Sequence, residues 1–199
     1  MIEAAAASIA GHVAAQSLKR GKQVLILSVG GLITDFRFPK NSRGKLWIPS
    51  GAIAGVDALQ GAREAALTSV TLKTYKPLRA LMGAPFFRRR RLPRLVGKKP
   101  IRVFNGSASQ AVRNFPQNIN VAAILSLAGV GPRKTRVEIW ATNDLRTNRH
   151  EIFVKGKFGE MITVTANRPS PGNPKTSYLA ALSAIATLRK IFSSVRIGT

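Results

Sequence analysis

The sequence predicts an α/β protein whose parallel sheet comes first and whose mixed or antiparallel sheet comes second. Three observations lead there. An apolar helix pattern is followed at once by Gln23-Val24-Leu25-Ile26-Leu27-Ser28, a run suited to a strand buried on both faces, as in parallel sheets. Strand and helix patterns then alternate through the middle of the chain. Near the end, three strand patterns stand too close together for crossover helices, so they are expected to pair antiparallel.

From Glu3 to Lys19, the residues Ala6, Ile9, Ala10, Val13, Ala14 and Leu18 recur at helical spacing, and Gly21 follows as a stop. The buried strand ends at Val29-Gly30-Gly31. Helix, buried strand and glycine turn make the later part of a Rossmann-type unit, with no strand expected before the helix and no GxGxxG anywhere. Leu46-Trp47-Ile48-Pro49 is expected to open a second unit near Lys45. The turn Ser50-Gly51-Ala52 leads from it into a helix carrying Val56, Leu59, Ala62 and Ala66. Ser69–Tyr75 alternates as a strand does, and Lys76-Pro77 closes it. Ile101–Phe104 is another strand, after which Ser107 caps a helix running through Val112 and Phe115.

The helix from Ile119 to Ala128 is apolar nearly all round and is expected to be buried between other elements. Gly129-Val130-Gly131-Pro132-Arg133-Lys134-Thr135 lacks the spacing of a phosphate loop and precedes a strand, so it reads as a helix stop and turn. Thr135–Ala141, Arg149–Lys155 and Phe158–Thr165 are the three crowded strands. Asn173-Pro174 predicts the N-cap and first position of a last helix, with Tyr178, Leu182, Ile185, Leu188 and Phe192 on its apolar face. The expected division is 1–44 for the Rossmann-type part, 45–172 for the α+β part, and 173–199 for a helix packing back on the first part.

Composition bounds the chemistry. With 45% apolar and 7% aromatic residues over 199 positions, the chain is globular in composition and long enough for a substantial core. It has no cysteine, which removes thiolate chemistry and sulfur-ligated metals. Two histidines and eight scattered carboxylates give no metal-ligand pattern, so no metal is expected. No apolar stretch reaches the roughly 18 residues of a membrane span. The early cations, Lys19 and Arg20, follow the apolar run rather than precede it, so a secretory signal is not expected and a cytoplasmic protein is.

The outlier is charge, +24 from 32 Lys/Arg against eight Asp/Glu. Such a field attracts nucleic acid or anionic small molecules. Part of it is local, in Arg88-Arg89-Arg90-Arg91, Arg94, Lys98, Lys99 and Arg102 behind Phe86-Phe87. That segment reads either as a phosphate-binding loop, and so a nucleic-acid surface, or as a solvated insertion.

Two places carry candidate chemistry. Asn118 and Asn120 stand at the mouth of the buried helix; Asn118 suffices as a cap, leaving the Asn120 amide for a ligand near the positive end of the helix dipole. His150 shares a strand face with Ile152 and Val154, while Arg149 and Glu151 point the other way. On spacing alone it is either a satisfied core histidine or a catalyst. His12, on the alanine-rich helix, reads as structural.

At these residues the chain resembles the L-aspartate dehydrogenase family. The matching segments are Glu3-Ala4-Ala5, Leu27-Ser28-Val29-Gly30, Pro49-Ser50-Gly51-Ala52-Ile53, Gly106-Ser107-Ala108, the run from Phe115 to Ala123, Asn148-Arg149-His150-Glu151-Ile152, and Asn173-Pro174-Lys175-Thr176-Ser177. They occur in the family's order and spacing. The resemblance implies an NAD- or NADP-dependent oxidoreductase that interconverts L-aspartate and iminosuccinate, feeds pyridine nucleotide biosynthesis and works as a homodimer, with the α+β part as its catalytic domain. It puts the catalytic histidine on His150 and cofactor contacts on Ala52 and Asn120, with Ser28, Val29 and Gly30 beside the nicotinamide. Lys175 and Thr176, expected in the first turn of the last helix, are candidates for a substrate carboxylate or plain helix-start residues.

The family opens with a strand, glycine-rich turn and helix that this sequence does not contain, so the resemblance implies an N-terminally truncated chain; the alternative to an active dehydrogenase is an inactive or partner-dependent fragment of that scaffold. Gln117 and Asn105 stand where lysine and glutamate are usual.

Overall fold

The computed structural model describes residues 1–199 apart from Asp35, Lys40, Arg89, Arg90, Leu92, Arg94, Val96, Lys98, Gln117, Asn118, Asp144, Leu145, Arg146 and Thr199, and apart from the side chains of Pro174 and Lys175. Two main sheets share one core. The first is parallel, with strands β1 (Ile2–Glu3), β2 (Gln23–Ile26) and β3 (Lys45–Trp47) in that order. Helix α1 (Ala7–Lys19) connects β1 to β2, so the chain does hold a complete strand–helix–strand unit. A strand ahead of the helix was not expected, and the helix begins four residues later than Glu3. The reason is Glu3 itself. Its buried carboxylate accepts from the N–H groups of Ala5 (2.8 Å) and Ala6 (3.1 Å), satisfying the helix entrance, while its carbonyl accepts from Leu27 N–H.

After β2 a single 3₁₀ turn (Val29–Leu32) folds against the start of α1. It lies so close that a β-carbon on Gly31 would collide with the Ala7 carbonyl. Lys45–Trp47, expected to open the second unit, is instead the third strand of this parallel sheet. A run that short carries no mark of which sheet it will join.

The second sheet is mixed: β5 (Ile101–Ser107), β6 (Arg136–Thr142), β4 (Leu67–Pro77), β7 (Asn148–Gly156), β8 (Gly159–Asn167). The hairpin β7–β8 is antiparallel as expected. Strands β6 and β7, though adjacent in sequence, do not pair. β4 lies between them, parallel to β6 and antiparallel to β7. Central β4 alternates buried Val70, Leu72 and Thr74 with residues on the other face, and it can use both edges only if its neighbours come from later sequence.

Helix α2 (Val56–Arg63) stops short of Ala66, which adopts φ +64°. After the short α3 (Leu78–Leu81), helix α4 (Ala108–Asn114) starts in a capping box between Ser107 and Gln110, a device that stabilises a helix start by about 1 kcal/mol. Helix α5 (Asn120–Ala128) is buried along most of its length, with Ala122, Ala123, Ile124, Leu125 and Ser126 inaccessible or nearly so. It joins the cores of the two sheets into one cluster, in which Val29 and Leu32 lie with Leu72, Ile139 and Ile152.

The last helix is displaced from its expected start. Asn173–Ser177 is strand β10, paired antiparallel with β9 (Pro169–Ser170), and α6 runs Tyr178–Phe192. The turn signal Pro171-Gly172 governs here: it reverses the chain so that Asn173 pairs with Ser170 before any helix can start. Residues 175 and 176 are therefore in a strand, not in the first turn of a helix. No described helix is long and apolar enough to cross a membrane.

Candidate active site

A cavity of about 170 Å³ opens where the two sheets meet. Leu27 and Val29 line it from the carboxyl end of β2, where ligands settle in open parallel sheets. Pro49, Gly51 and Ala52 come from the loop after β3, Ile119, Asn120 and Val121 from the start of α5, and Lys76 from the end of β4. Asn148 and His150 come from β7, and Thr176, Ser177 and Ala180 from β10 and α6. Of the residues expected to form a site, His150, Ala52, Asn120, Val29 and Thr176 thus share one wall-to-wall space. Ser28 and Gly30 sit beside it on the same turn as Val29. The Lys175 side chain lies outside the described residues, as do Asn118 and Gln117. His12 is exposed on α1.

His150 is 3% exposed. Its neighbours across the sheet are Thr74 on β4 and Thr165 on β8. Its Nδ1 is buried with no hydrogen-bond partner, so Nε2 is the nitrogen a ligand can reach. Burial, and second the positive charge of Lys76, push the imidazole down to about 3. At neutral pH it is therefore an uncharged ring, and a weak base for as long as its burial and the charge of Lys76 persist.

Asn120 is used differently from the sequence expectation. Its Oδ1 accepts from Gly30 N–H at 3.0 Å, tying the 3₁₀ turn to α5, so the oxygen is already engaged by backbone and the amide NH₂ is the donor left for a ligand. Ser28 N–H donates to Glu3 Oε2 at 3.1 Å. Glu3 thus fixes both the entrance of α1 and the turn that borders the cavity. The Ala52 carbonyl accepts from Asn167 Nδ2 (2.8 Å) and Thr165 Oγ1 (3.0 Å), which clamps the Gly51-Ala52 turn onto β8. Gly51 has φ +66°, and a β-carbon there would press on Ile124 at 2.9 Å.

Lys76, Asn148, Ser177, Glu3 and Asn167 were not singled out from the sequence. Asn148, Ser177 and Glu3 lie inside the matching motifs, so a signal was present for those three. Lys76 and Asn167 carried none.

Two further expectations meet other surroundings. Phe86 and Phe87 are not a surface platform: they pack with Phe104 and Phe115, the Phe86–Phe115 centroids 5.0 Å apart. Arg89, Arg90, Arg94 and Lys98 lie outside the described residues. Asn105 is on β5, lining an open groove of about 640 Å³ with Phe86, Arg88 and Gln110, remote from His150.

A family model for the C-terminal part of aspartate dehydrogenase matches residues 57–191. The L-aspartate dehydrogenase of Methanosarcina acetivorans is 47% identical over all of this chain, spanning 76% of the relative's length. The chain belongs to the aspartate dehydrogenase family. The Methanosarcina mazei member is 46% identical, again over all of this chain and 76% of its own length. Among solved structures, aspartate dehydrogenase from Thermotoga maritima superposes with a TM-score of 0.75 at 25% identity, over 99% of this chain and 77% of that one. Family membership accounts for both halves of the fold, the parallel sheet that borders the cavity and the mixed sheet that brings His150 to it.

Proposed function

We propose that the chain is an oxidoreductase that interconverts L-aspartate and iminosuccinate, the imine hydrolysing to oxaloacetate and ammonia, with NAD or NADP as its redox partner. The observation that carries this reading is the convergence of His150, Ala52, Asn120 and Val29, from four separate segments, on one cavity. A bound nicotinamide would supply the acceptor for the hydride of the amine-bearing carbon. Ser28, Val29, Gly30, Ala52 and the NH₂ of Asn120 are the groups that would hold it. The fit rests on the carboxyl end of β2 facing the cavity and on Gly51, where a side chain would crowd Ile124 on the cavity wall.

His150 Nε2 takes a proton from the substrate's ammonium group, which must be shed before the C–N bond gains imine character. The hydrophobic walls formed by Leu27, Ile119 and Ile124 keep water from the ring. Thr176 offers a hydroxyl to a substrate carboxylate, and Lys175 is its neighbour in the strand.

The reading includes a homodimer, supported by the uncovered apolar residues of the mixed sheet. It includes a cytoplasmic location, supported by the lack of cysteine. Its place is the supply of iminosuccinate to pyridine nucleotide biosynthesis, a role drawn from the family resemblance.

The test is oxidation of NADH and NADPH in the presence of oxaloacetate and ammonia. The chain should turn over, and His150→Ala should lose about 100- to 10,000-fold in rate while remaining folded by circular dichroism. Full rate in His150→Ala refutes the assignment.

A further inference from the structure

Lys76 lines the cavity from the same face of the mixed sheet as Thr74 and His150. Its Nζ donates to Asn148 Oδ1 at 3.3 Å, and Asn148 Nδ2 donates in turn to Ser177 Oγ at 3.2 Å. An ammonium has three protons to place, and here a long bond to a neutral amide takes one of them. Among the described residues no carboxylate lines the cavity. Glu3 is committed to backbone N–H groups, and Glu138 and Glu151 pair with arginines on the opposite face of the sheet.

A largely buried, under-partnered cation is costly to keep. Its presence beside the imidazole also makes His150 a weaker base. Both costs vanish if an anion completes the site.

We propose that Lys76 is the receptor for a carboxylate of the substrate, with Asn148 and Ser177 holding its ammonium in place. The inference rests on the dehydrogenase reading above and names the contact that recognises the acid. A bound carboxylate neutralises the ammonium next to His150, so the imidazole gains basicity only when substrate is present.

Burial alone holds the Lys76 ammonium down to about 8. The groups facing it are His150 on β7, Ala141 opposite on β6, and Asn120, Thr176 and Ser177 on the remaining walls; of these only His150 titrates. Anion affinity should therefore fall as pH rises beyond about 8.

The test is calorimetric titration of the chain with succinate, an unreactive dicarboxylate, at pH 7 and across pH 7–10. Lys76→Met should weaken succinate by about 10- to 100-fold, the worth of one charge-assisted hydrogen bond. Lys76→Arg should keep affinity within a few-fold and lose the decline above pH 8, because guanidinium stays charged. Equal succinate affinity in Lys76→Met and the parent, an unchanged pH profile in Lys76→Arg, or no succinate binding by the folded parent chain each overturns the proposal. Loss of succinate in Lys76→Met with full turnover in His150→Ala would support the carboxylate receptor and refute the proton-transfer role. The opposite pair of results would refute the receptor alone.

Discussion

At the scale of single residues the fold leaves polar groups incomplete at and beside the cavity. His150 Nδ1 and Thr74 Oγ1 are both buried without partners, and they stand directly opposite each other on β7 and β4. Each such group costs stability, of order 1–3 kcal/mol. The imidazole also makes stability depend on pH. The unfolded chain's histidine titrates near 6.5 and the native one at about 3, so between these values only the unfolded state takes up the proton. Stability therefore falls as pH is lowered from about 6.5 to about 3. Lys76 has its own window: the native group releases its proton at about 8 and the unfolded one at about 10.5, so this contribution rises as pH increases between them. Urea midpoints at pH 7, 5 and 4 check the first claim. His150→Ala should flatten the acid slope, and curves parallel to those of the parent would contradict it.

At the scale of elements, Ala66 is the one described non-glycine residue at positive φ, at +64°, and its carbonyl receives the N–H of Lys157 from the β7–β8 turn. The position suits glycine, the usual residue after a helix end. Ala66→Gly should raise stability by about 0.5–1 kcal/mol, read as a higher melting temperature, and a lower one would show that the contact geometry depends on the methyl. The same stretch shows what sequence can and cannot reveal. Periodicity located α1, α5 and the β7–β8 hairpin, because each buries one face or all faces at a regular interval. It misplaced the start of α6: Asn173-Pro174 carries a helix-start signature, but the Pro171-Gly172 turn acts first and makes a strand of Asn173–Ser177. It also missed that β4 separates β6 from β7, since pairing partners are chosen by the whole sheet and no residue on β6 announces them. In the site, His150 and Asn120 were legible through motif, whereas Lys76 was not. An ammonium becomes chemically unusual only through the burial that tertiary structure imposes.

At the scale of the molecule, a net charge of +24 opposes self-association wherever cations meet cations. The outer face of the mixed sheet differs from this average. Glu138 lies within 3.7 Å of Arg102 and Arg136, Glu151 within 2.8 Å of Arg149, and Lys73 sits over the Phe153 ring. Beside this patch, where two carboxylates offset part of the charge of four cations, Ile162 and Val164 are 62% and 52% exposed on β8. A second copy covering that face would meet less repulsion than the net charge alone implies, which favours it as the surface of the proposed dimer. Ile162→Glu combined with Val164→Glu should shift sedimentation from dimer to monomer; an unchanged dimer would move the interface elsewhere. The strand order has a further consequence, for how the chain is made. The eleven-residue β4 leaves the ribosome long before either of its neighbours exists, since Thr71 must wait for Arg136 on one side and Phe153 on the other. Throughout that interval both hydrogen-bonding edges of the sheet's central strand are open, with Val70 and Leu72 uncovered. The nascent chain's large positive charge is at that stage a repulsion that opposes pairing of one unfinished copy with another.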